Sequence, residues 1–523
     1  MTPEIQCAGE PPTLCPAAGR SRLRALAPPS HSDLFFLFFV AWTFLVGPAG
    51  WQRLVLDADT ALHTAVGRHI LATGAIPRQD PFSFSKVSAP WFAFEWLAET
   101  LFGWLYNLAG VKGVVLLAGM LIALLATILL KYCLWQGSNG AISLAVTLLA
   151  ANAVSLHYYA RPHLFTLVFL AVAIWLLESA RRGGGRKVWL LAPLVALWAN
   201  LHGGFVLFLA LVGLRAAGCA AEAVFWPEIR DSRRREALRL LAVGAACGAA
   251  SLANPYGIHL HVHIAEVLRS PWIRLNVTEF QSPSFRFEEM FHFMALLFAG
   301  LASIGPLIRE KRIVEPLWIV FLAYCSLVSV RHAAIYAIVA APVIACRLSD
   351  WWAGLAASRP RAGVIGTLDD FARALSAGMP GTSLFIPAVI AVLAVVPGLY
   401  WPEAFTPGHV PVALVDRNLE LLGRARLFTS DQIADYLVFR NYPRQRVFYD
   451  SRHNYYGETI GDHYMALQKG RPEWRSLAEK YGIDAILCRA DAALASLVRM
   501  SPGWRLADQD ATHLLFTREA GGS

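Results

Sequence analysis

The sequence predicts a polytopic α-helical membrane protein with about 11 transmembrane helices, a large first outer loop and a small C-terminal α/β domain. Composition is the first reason. Of 523 residues, 56% are hydrophobic and 16% are charged, and the mean hydropathy of +0.46 exceeds that of soluble chains. The pattern is the second reason, because apolar runs repeatedly approach the roughly 20 residues that cross a bilayer, with the polar residues between them.

The predicted spans divide the chain into three parts. Residues 1–33 form a Pro- and Ala-rich cytoplasmic arm that we expect to be disordered, residues 34–401 a transmembrane domain, and residues 402–523 a domain of soluble composition. The first outer loop covers about residues 51–100. The spans lie at approximately 34–50, 111–131, 139–157, 163–180, 188–201, 204–224, 238–253, 291–307, 313–329, 332–347 and 383–401.

The distribution of basic residues predicts the orientation of these spans. Arginine and lysine cluster before the first span, between the fourth and fifth, and between the sixth and seventh, at residues 20–24, 181–187 and 230–235. Because short basic loops resist translocation, we expect these ends in the cytoplasm and the C-terminal domain outside it. Topology and anionic membrane lipids then account for the formal net charge of +9, and no nucleic acid partner is implied.

The first outer loop opens with Asp57 and Asp59 directly after a predicted span. Apolar residues recur at helical spacing in LDADTALHTAVGRHI and in FEWLAETLFGWLYNLAG, which predicts two interfacial helices ending at Gly74 and Gly110. The aspartates fit two interpretations: caps for the first helix, or a general base that removes a proton from an attacking hydroxyl. His63, one turn after Asp59, could orient a carboxylate, contact a phosphate or simply pack.

Further polar residues gather at the other predicted outer ends of the spans. These side chains are Arg161, His163, His202, Asn254, Arg331 and His332. Such groups near hydrocarbon are costly unless they face a cavity or a partner, although a single arginine can also extend to the interface without any function. Together they predict a cationic chamber opposite the aspartates, suited to a lipid phosphate or pyrophosphate.

The run HLHVHI offers a competing interpretation as a metal site. His259, His261 and His263 would share a face on a strand, whereas only His259 and His263 would share one on a helix. No matching carboxylate is identifiable in the sequence. We therefore assign no metal ligands from the sequence and leave a divalent metal open.

The C-terminal segment predicts a small α/β domain. RLFTS, QRVFYD, DAILCR, WRLADQD and HLLFTR have strand character, and helical patterns cover residues 431–440, 459–468, 472–481 and 490–499. Asp450 and Arg452 follow a predicted strand, where open α/β sheets place ligand sites. We expect them to bind an acceptor or to close over the membrane cavity, or else to form an internal ion pair in a structural loop.

These features resemble the GT-C superfamily of integral membrane glycosyltransferases: an N-terminal span, a large outer loop with paired aspartates before an interfacial helix, a many-span bundle and an outer tail. DADTALHTAVGRHILATGAIPRQDPFSFS and APWFAFEWLAETLF are more similar to bacterial proteins with an Rgt-type glycosyltransferase domain. RPHLFTLVFL, WANLHGGF, ANPYG and YDSRHNYYGE fit the same group. The chain departs from it at Thr60, Ala61 and Leu62, where bulky aromatic residues are usual, which implies a narrower or differently shaped donor pocket.

The resemblance implies transfer of a sugar from a polyprenyl-phosphate carrier to an envelope glycan, lipid or protein at the outer face of a bacterial cytoplasmic membrane. Asp57 or Asp59 would be the base, with Asp59 preferred for its relation to His63. No cofactor is firmly implied. The side chains expected around the carrier phosphate are Arg161, His202, Arg331 and His332.

Two other classes of function stay open from the sequence. A transporter or flippase also has many spans and intramembrane polar groups, but would place them in broken helices near the bilayer midplane rather than at one face. A non-catalytic protein that binds a polyprenyl lipid and scaffolds an envelope assembly is the other. Substitution of the two aspartates separates these classes from a transferase.

Overall fold

The computed structural model describes residues 29–46, 50–182, 185–379, 404–405 and 410–519. The part before residue 380 is helical. Its α-helices are α1 (His31–Ala41), α2 (Asp59–Thr73), α3 (Trp96–Ala109), α4 (Val111–Gln136), α5 (Gly140–Val154), α6 (His163–Arg182), α7 (Leu191–Leu201), α8 (Phe205–Phe225), α9 (Arg230–Ala250), α10 (Ile258–Arg269), α11 (Pro271–Asn276), α12 (Glu288–Arg309), α13 (Val314–Val328), α14 (Ala333–Ala357) and α15 (Val364–Gly378).

Six helical segments in the described part of the chain are long and apolar enough to cross a bilayer. They are Val111–Gln136, Gly140–His157, His163–Arg182, Phe205–Phe225, Met290–Arg309 and Val330–Ala357. The shorter apolar segments His31–Phe44 and Val314–Val328, together with α7 and α9, overlap further predicted spans. The prediction of a multi-pass helical membrane protein is therefore confirmed. The predicted span at 383–401 lies outside the described residues, and the total of about 11 spans stays a prediction.

The first outer loop contains the two predicted helices, α2 and α3, packed against each other. Gly74 and Gly110, both with a φ of +64°, end them as expected. The contact between the helices requires glycine, because a Cβ on Gly67 would lie 1.7 Å from the carbonyl oxygen of Glu99. A Cβ on Gly103 would lie 2.5 Å from the backbone nitrogen of the residue after Gly67. This close approach sets the distance between the polar side chains that the two helices share.

The predicted C-terminal α/β domain is confirmed. Its sheet has the order β1-β2-β4-β3, with β1 parallel to β2 and the other neighbours antiparallel. Ile486 of β2 lies opposite Phe516 of β4, and both are buried in the core of the domain. The elements are α16 (Val412–Arg417), α17 (Leu419–Arg424), β1 (Leu427–Phe428), α18 (Asp431–Asn441), α19 (His453–Gln468), α20 (Trp474–Lys480), β2 (Ala485–Arg489), α21 (Ala493–Arg499), β3 (Trp504–Gln509) and β4 (His513–Arg518).

The prediction that QRVFYD forms a strand of this sheet is wrong. Val447 in this segment instead makes one isolated parallel bridge with Ser83 of the first outer loop. The N–H of Phe84 donates to the Val447 carbonyl oxygen, and the N–H of Val447 donates to the Phe82 carbonyl oxygen, both at 2.9 Å. Because the outer loop supplies these hydrogen bonds, the segment links the two parts of the molecule and carries Asp450 to their boundary.

Candidate functional site

The acidic stretch of the first outer loop lies where α2 begins. Asp59 is the first residue of the helix, and the N-cap position before it belongs to Ala58. The Ala58 N–H donates to Oε1 of Gln432 in α18 at 3.0 Å, and the Asp59 N–H donates to Oδ1 of Asp57 at 3.1 Å. The capping interpretation therefore holds for Asp57 alone, through one amide, and the other carboxylate oxygens face side chains.

Arg161, in the turn before α6, gathers three carboxylates. Its Nε lies 2.8 Å from Asp59 Oδ2, and its Nη1 lies 3.1 Å from Asp57 Oδ2 and 2.5 Å from Glu279 Oε1. Glu279 sits in the turn Thr278–Phe280, and no sequence pattern had singled it out. The predicted partners from two distant stretches thus meet, but Arg161 contacts carboxylates of the protein itself.

Asp57 and Asp59 differ in acid strength because their partners differ. Burial opposes ionisation of Asp59, but Arg161 and His63 more than offset it and hold its pKa well below the usual range. For Asp57 burial outweighs the attraction of Arg161, and its pKa is raised. The Asp57 side chain is also the more accessible of the two, at 16% exposed against 9%. Asp57 is therefore the stronger base.

The C-terminal domain supplies a direct partner for Asp59. Ser451 Oγ donates to Asp59 Oδ1 at 2.7 Å, and the Ser451 N–H donates to Asp435 Oδ1 at 3.1 Å. Asp435 is fully buried, and its pKa is raised well above the usual range by burial first and then by the charges of Asp59 and Asp450. The loop after Val447 thus fixes one oxygen of the aspartate that also binds Arg161.

Asp450 and Arg452 belong to a neighbouring ion cluster. Arg452 Nη2 lies 2.6 Å from Asp450 Oδ2, and its Nη1 lies 2.7 Å from Oδ1 of Asp80 in the first outer loop. The Tyr456 hydroxyl also donates to Asp450 Oδ2 at 2.8 Å. This geometry matches the internal ion pair that the sequence left open, with one addition: the pair anchors the C-terminal domain to the first outer loop.

His63 stands between three carboxylates. Its Nε2 lies 3.5 Å from Asp59 Oδ2 and 3.8 Å from Glu95 Oε2, and its Nδ1 lies 3.1 Å from Glu99 Oε1. Burial opposes the charged imidazole, but the carboxylates raise its pKa well above the usual value. Burial also raises the pKa of Glu95 to about 7. Sequence reasoning missed both glutamates, although their spacing of four residues on one predicted helix was the available signal.

Two more histidines predicted from the sequence lie nearby. His202 is beside this cluster, and His163 follows Arg161 by two residues in the chain. His202 Nε2 lies 3.5 Å from Glu95 Oε1, and its Nδ1 accepts the Gly204 N–H at 3.0 Å. His163 Nε2 donates to the carbonyl oxygen of His157 at 2.7 Å. Each ring is thus held in one orientation by a backbone group.

The other three residues predicted for the site, Asn254, Arg331 and His332, have different surroundings. Asn254 Nδ2 donates to the Ser251 carbonyl oxygen at 2.8 Å, so that this side chain closes its own turn. The Arg331 guanidinium lies 4.4 Å from the centroid of the Phe280 ring, and among the residues that the structure describes it pairs with no carboxylate. Within the same described residues, the buried Nδ1 of His332 has no hydrogen-bond partner.

The histidine run of the competing metal interpretation lies on α10 and makes hydrogen bonds. His261 Nε2 lies 2.8 Å from Ser251 Oγ, and Asn454 Nδ2 donates to His263 Nε2 at 2.8 Å. In the described residues, a group of three potential metal ligands lies instead on and beside α2 and α3, with donor atoms within 4.8 Å of one another. They are His63, Glu95 and Glu99.

Comparison with solved structures relates this architecture to known proteins. The oligosaccharyltransferase of Archaeoglobus fulgidus in its apo form matches with a TM-score of 0.53 and 12% identity, over 88% of this chain and 69% of that one. The archaeal oligosaccharyltransferase AglB from Archaeoglobus fulgidus, in complex with an inhibitory peptide and a dolichol-phosphate, gives 0.53 and 11% over the same shares. ArnT from Cupriavidus metallidurans bound to undecaprenyl phosphate gives 0.45 and 14%, over 94% of this chain and 97% of that one. No protein-family model and no curated protein sequence matches.

The chain therefore has the fold of the archaeal oligosaccharyltransferase, and the resemblance predicted from the sequence is confirmed at the level of the fold. At 11% to 12% identity, the likeness to AglB defines the fold and leaves the reaction to be argued from the site. The narrower similarity to the Rgt-type group stays a prediction.

Proposed function

We propose that this chain transfers a sugar from a polyprenyl-phosphate carrier to an envelope acceptor, a glycan, lipid or protein, at the outer face of a bacterial cytoplasmic membrane. The observation that carries the proposal is the convergence of Asp57, Asp59 and Arg161 at one end of a GT-C bundle. The archaeal oligosaccharyltransferase that shares the fold has been solved with a dolichol-phosphate, which supports a lipid phosphate as the donor's leaving group here.

The proposed reaction is a single displacement. A hydroxyl oxygen of the acceptor attacks the anomeric carbon of the sugar while a carboxylate accepts the hydroxyl proton. The bond between the anomeric carbon and the phosphate oxygen breaks, the configuration inverts, and the electron pair leaves with the polyprenyl phosphate. The site must therefore supply one base beside the acceptor and positive charge beside the phosphate.

We assign the base to Asp57. The sequence-based preference for Asp59 rested on its position relative to His63, and that contact exists. Asp59, however, lies closer to Arg161 than Asp57 does, at 2.8 Å against 3.1 Å, and also accepts from Ser451. Its low pKa makes it a weak proton acceptor. Asp57 is more exposed and has the higher pKa, which suits a general base. Asp59 then acts as a positioning residue that holds Arg161 in place.

We assign the phosphate contact to Arg331. Three carboxylates already surround Arg161, so its charge is largely neutralised. Arg331 is close enough to the same cluster that both arginines lower the pKa of Glu279, with Arg161 the stronger influence. Because Arg331 pairs with no carboxylate of the described residues, its guanidinium is available for a paired contact with phosphate oxygens.

The test is transfer itself. Purified full-length protein in liposomes is incubated with radiolabelled polyprenyl-phosphate sugars and a membrane extract, next to Arg331→Gln. Arg440→Gln, which breaks an exposed pair with Asp416, is the matched control. We expect the wild type and the control to move label from the carrier to an acceptor, and Arg331→Gln to do so about 10- to 100-fold more slowly. Translocation of the intact labelled lipid without transfer would identify a flippase and overturn the proposal.

A further inference from the structure

A second group of ligand-type side chains lies one helical turn from Asp59. Glu95 directly precedes α3 and Glu99 is in its first turn, four residues on, so both face His63 of α2. One donor atom from each of these three residues lies within 4.8 Å of the other two. Donor atoms of a tetrahedral site at about 2.0–2.2 Å from a metal are about 3.3 Å apart, and His63 Nδ1 and Glu99 Oε1 are separated by 3.1 Å.

One oxygen of this group has nothing to bond with in the described part of the protein. Glu99 is only 4% exposed, and its Oε2 is buried without a hydrogen-bond partner among those residues. Leaving a buried polar oxygen unpaired costs free energy of folding, so such atoms are rare in native proteins. A cation bound between Glu99 and its neighbours would satisfy it.

The charge balance around the two glutamates points the same way. The carboxylates at Arg161 have a guanidinium at their centre, whereas in the described part of the chain the basic side chain in ion-pair contact with both Glu95 and Glu99 is His63. His202 contacts Glu95, with its Nε2 3.5 Å from Glu95 Oε1, while its Nδ1 accepts a backbone N–H.

We propose that His63, Glu95 and Glu99 form a binding site for a divalent transition metal ion, with Zn²⁺ as the best match to one imidazole and two carboxylates. One ring nitrogen of His63 is the ligand. The other ring nitrogen keeps its proton and donates it in a hydrogen bond to a carboxylate. Asp59 Oδ2 lies 3.5 Å from Nε2, and Glu99 Oε1 lies 3.1 Å from Nδ1. Three protein ligands leave a fourth position open for water or a substrate oxygen. This proposal does not rest on the assignment of sugar transfer.

The experiment measures metal binding directly on the purified full-length protein. After removal of metal with EDTA, the protein is titrated with Co²⁺, followed by its visible absorption, and with Zn²⁺, followed by calorimetry. We expect one ion per chain. Glu99→Gln should weaken binding at least about tenfold, because even the loss of an outer-shell partner has an effect of this size. Glu420→Gln, which removes an exposed carboxylate of the C-terminal domain, should bind as the wild type does.

Glu95→Gln serves as the second ligand variant if Glu99→Gln does not fold, and the same weakening is expected. The melting temperature with and without Zn²⁺ gives an independent readout, since an ion that binds only the folded state raises it. The wild type should show this rise and the ligand variants should not. Wild-type protein that binds neither ion, or ligand variants that bind as tightly as the wild type, would overturn the proposal.

Discussion

Two buried ionic clusters lie at opposite ends of α6, and they differ in how their charges are balanced. Glu178 lies about 22 Å along α6 from His163 at 1.5 Å per residue, and it contacts arginines of α6 and α8. Three arginines face three glutamates in that cluster. The pairs are Arg181–Glu178, Arg215–Glu178, Arg215–Glu236, Arg233–Glu236 and Arg233–Glu222.

The cluster around Arg161 and His63 has more acidic side chains than basic ones. Its members are the carboxylates of Asp57, Asp59, Glu95, Glu99 and Glu279, with Arg161 and His63 between them. Its two aspartates also differ in acid strength, because the pKa of Asp57 is raised and that of Asp59 is lowered. Buried ion pairs with equal numbers of acidic and basic groups are typical of structural sites. An excess of acidic groups, with pKa values shifted in opposite directions, instead indicates a site that binds a substrate or an ion.

The largest effect is expected from removing the central arginine of each cluster. Arg161→Gln and Arg215→Gln each leave buried glutamates or aspartates unpaired, so each should lose about 3–5 kcal/mol of unfolding free energy. Only Arg161→Gln should also lose transfer per folded molecule. Thermal unfolding measures the stability of the two variants, and transfer rates normalised to the folded fraction measure their activity. If folded Arg215→Gln were equally inactive, the functional contrast between the two ends would disappear.

A somewhat smaller and pH-dependent effect is expected at the joint between the outer loop and the C-terminal domain. Burial opposes ionisation of Asp80, but Arg452 and the hydrogen bonds from Ser83 and the Phe82 N–H together more than offset it and lower its pKa from 3.8. Its ionised form therefore stabilises the folded state above about pH 3.8, and this contribution is lost as the pH falls further. Asp80→Asn should be about 1.5–3 kcal/mol less stable than the wild type at pH 7.

The gap between Asp80→Asn and the wild type should narrow as the pH falls below about 4. Unfolding midpoints in detergent at several pH values measure it. Asp491→Asn, which breaks an exposed pair with Arg489, is the control and should leave the unfolding midpoint close to that of the wild type at every pH. A gap for Asp80→Asn that stays constant with pH would show that the ion pair does not hold this joint.

The next effect concerns the contact between α2 and α3 that sets the distances around His63. Gly67→Ala would place a methyl group 1.7 Å from the Glu99 carbonyl oxygen, so the helices must separate at a cost of about 1–3 kcal/mol. Gly213→Ala in α8 has open space around the added Cβ and is the matched control. Melting temperatures compare the two variants. Equal stability of both would mean that α2 and α3 pack less closely than described.

The smallest effect is expected where the C-terminal domain contacts Asp59. Ser451→Ala removes the hydroxyl that donates to Asp59 Oδ1, a bond to a charged group that contributes about 1.5 kcal/mol, or about tenfold in rate. Ser451→Thr keeps the hydroxyl and should recover most of the transfer. The transfer rates of Ser451→Ala and Ser451→Thr, each compared with that of the wild type, test whether the hydroxyl positions Asp59. If alanine and threonine at this position gave the same rate as the wild type, the hydroxyl would have no positioning role.

Half of this site could be read from the sequence. Asp57, Asp59 and His63 are close in the chain and share one helix, and Arg161 lies in a predicted outer turn, so local spacing and topology brought them together. Glu279 stands in a short turn with no periodicity to mark its orientation.

Other parts of the site depend on tertiary contacts that no local pattern encodes. The pairing of His63 with Glu99 requires the close approach of α2 and α3 at two glycines. Ser451 reaches Asp59 across 392 positions of chain. The segment before it failed as a predicted strand for the same reason: Val447 finds its hydrogen-bond partners in the first outer loop and not in the sheet.

The most direct test of the central claim is the rate at which labelled sugar leaves its polyprenyl-phosphate carrier, measured against pH for the wild type, Asp57→Asn and Glu420→Gln, an exposed control. A base acts only when ionised, so with a raised pKa the wild-type rate should fall on acidification at a pH above the 3.8 of an ordinary aspartate. The control should follow the wild type, and Asp57→Asn should be about 10²- to 10⁴-fold slower where Asp57 is ionised, with the difference shrinking on acidification. Transfer by folded Asp57→Asn at the wild-type rate would contradict the account.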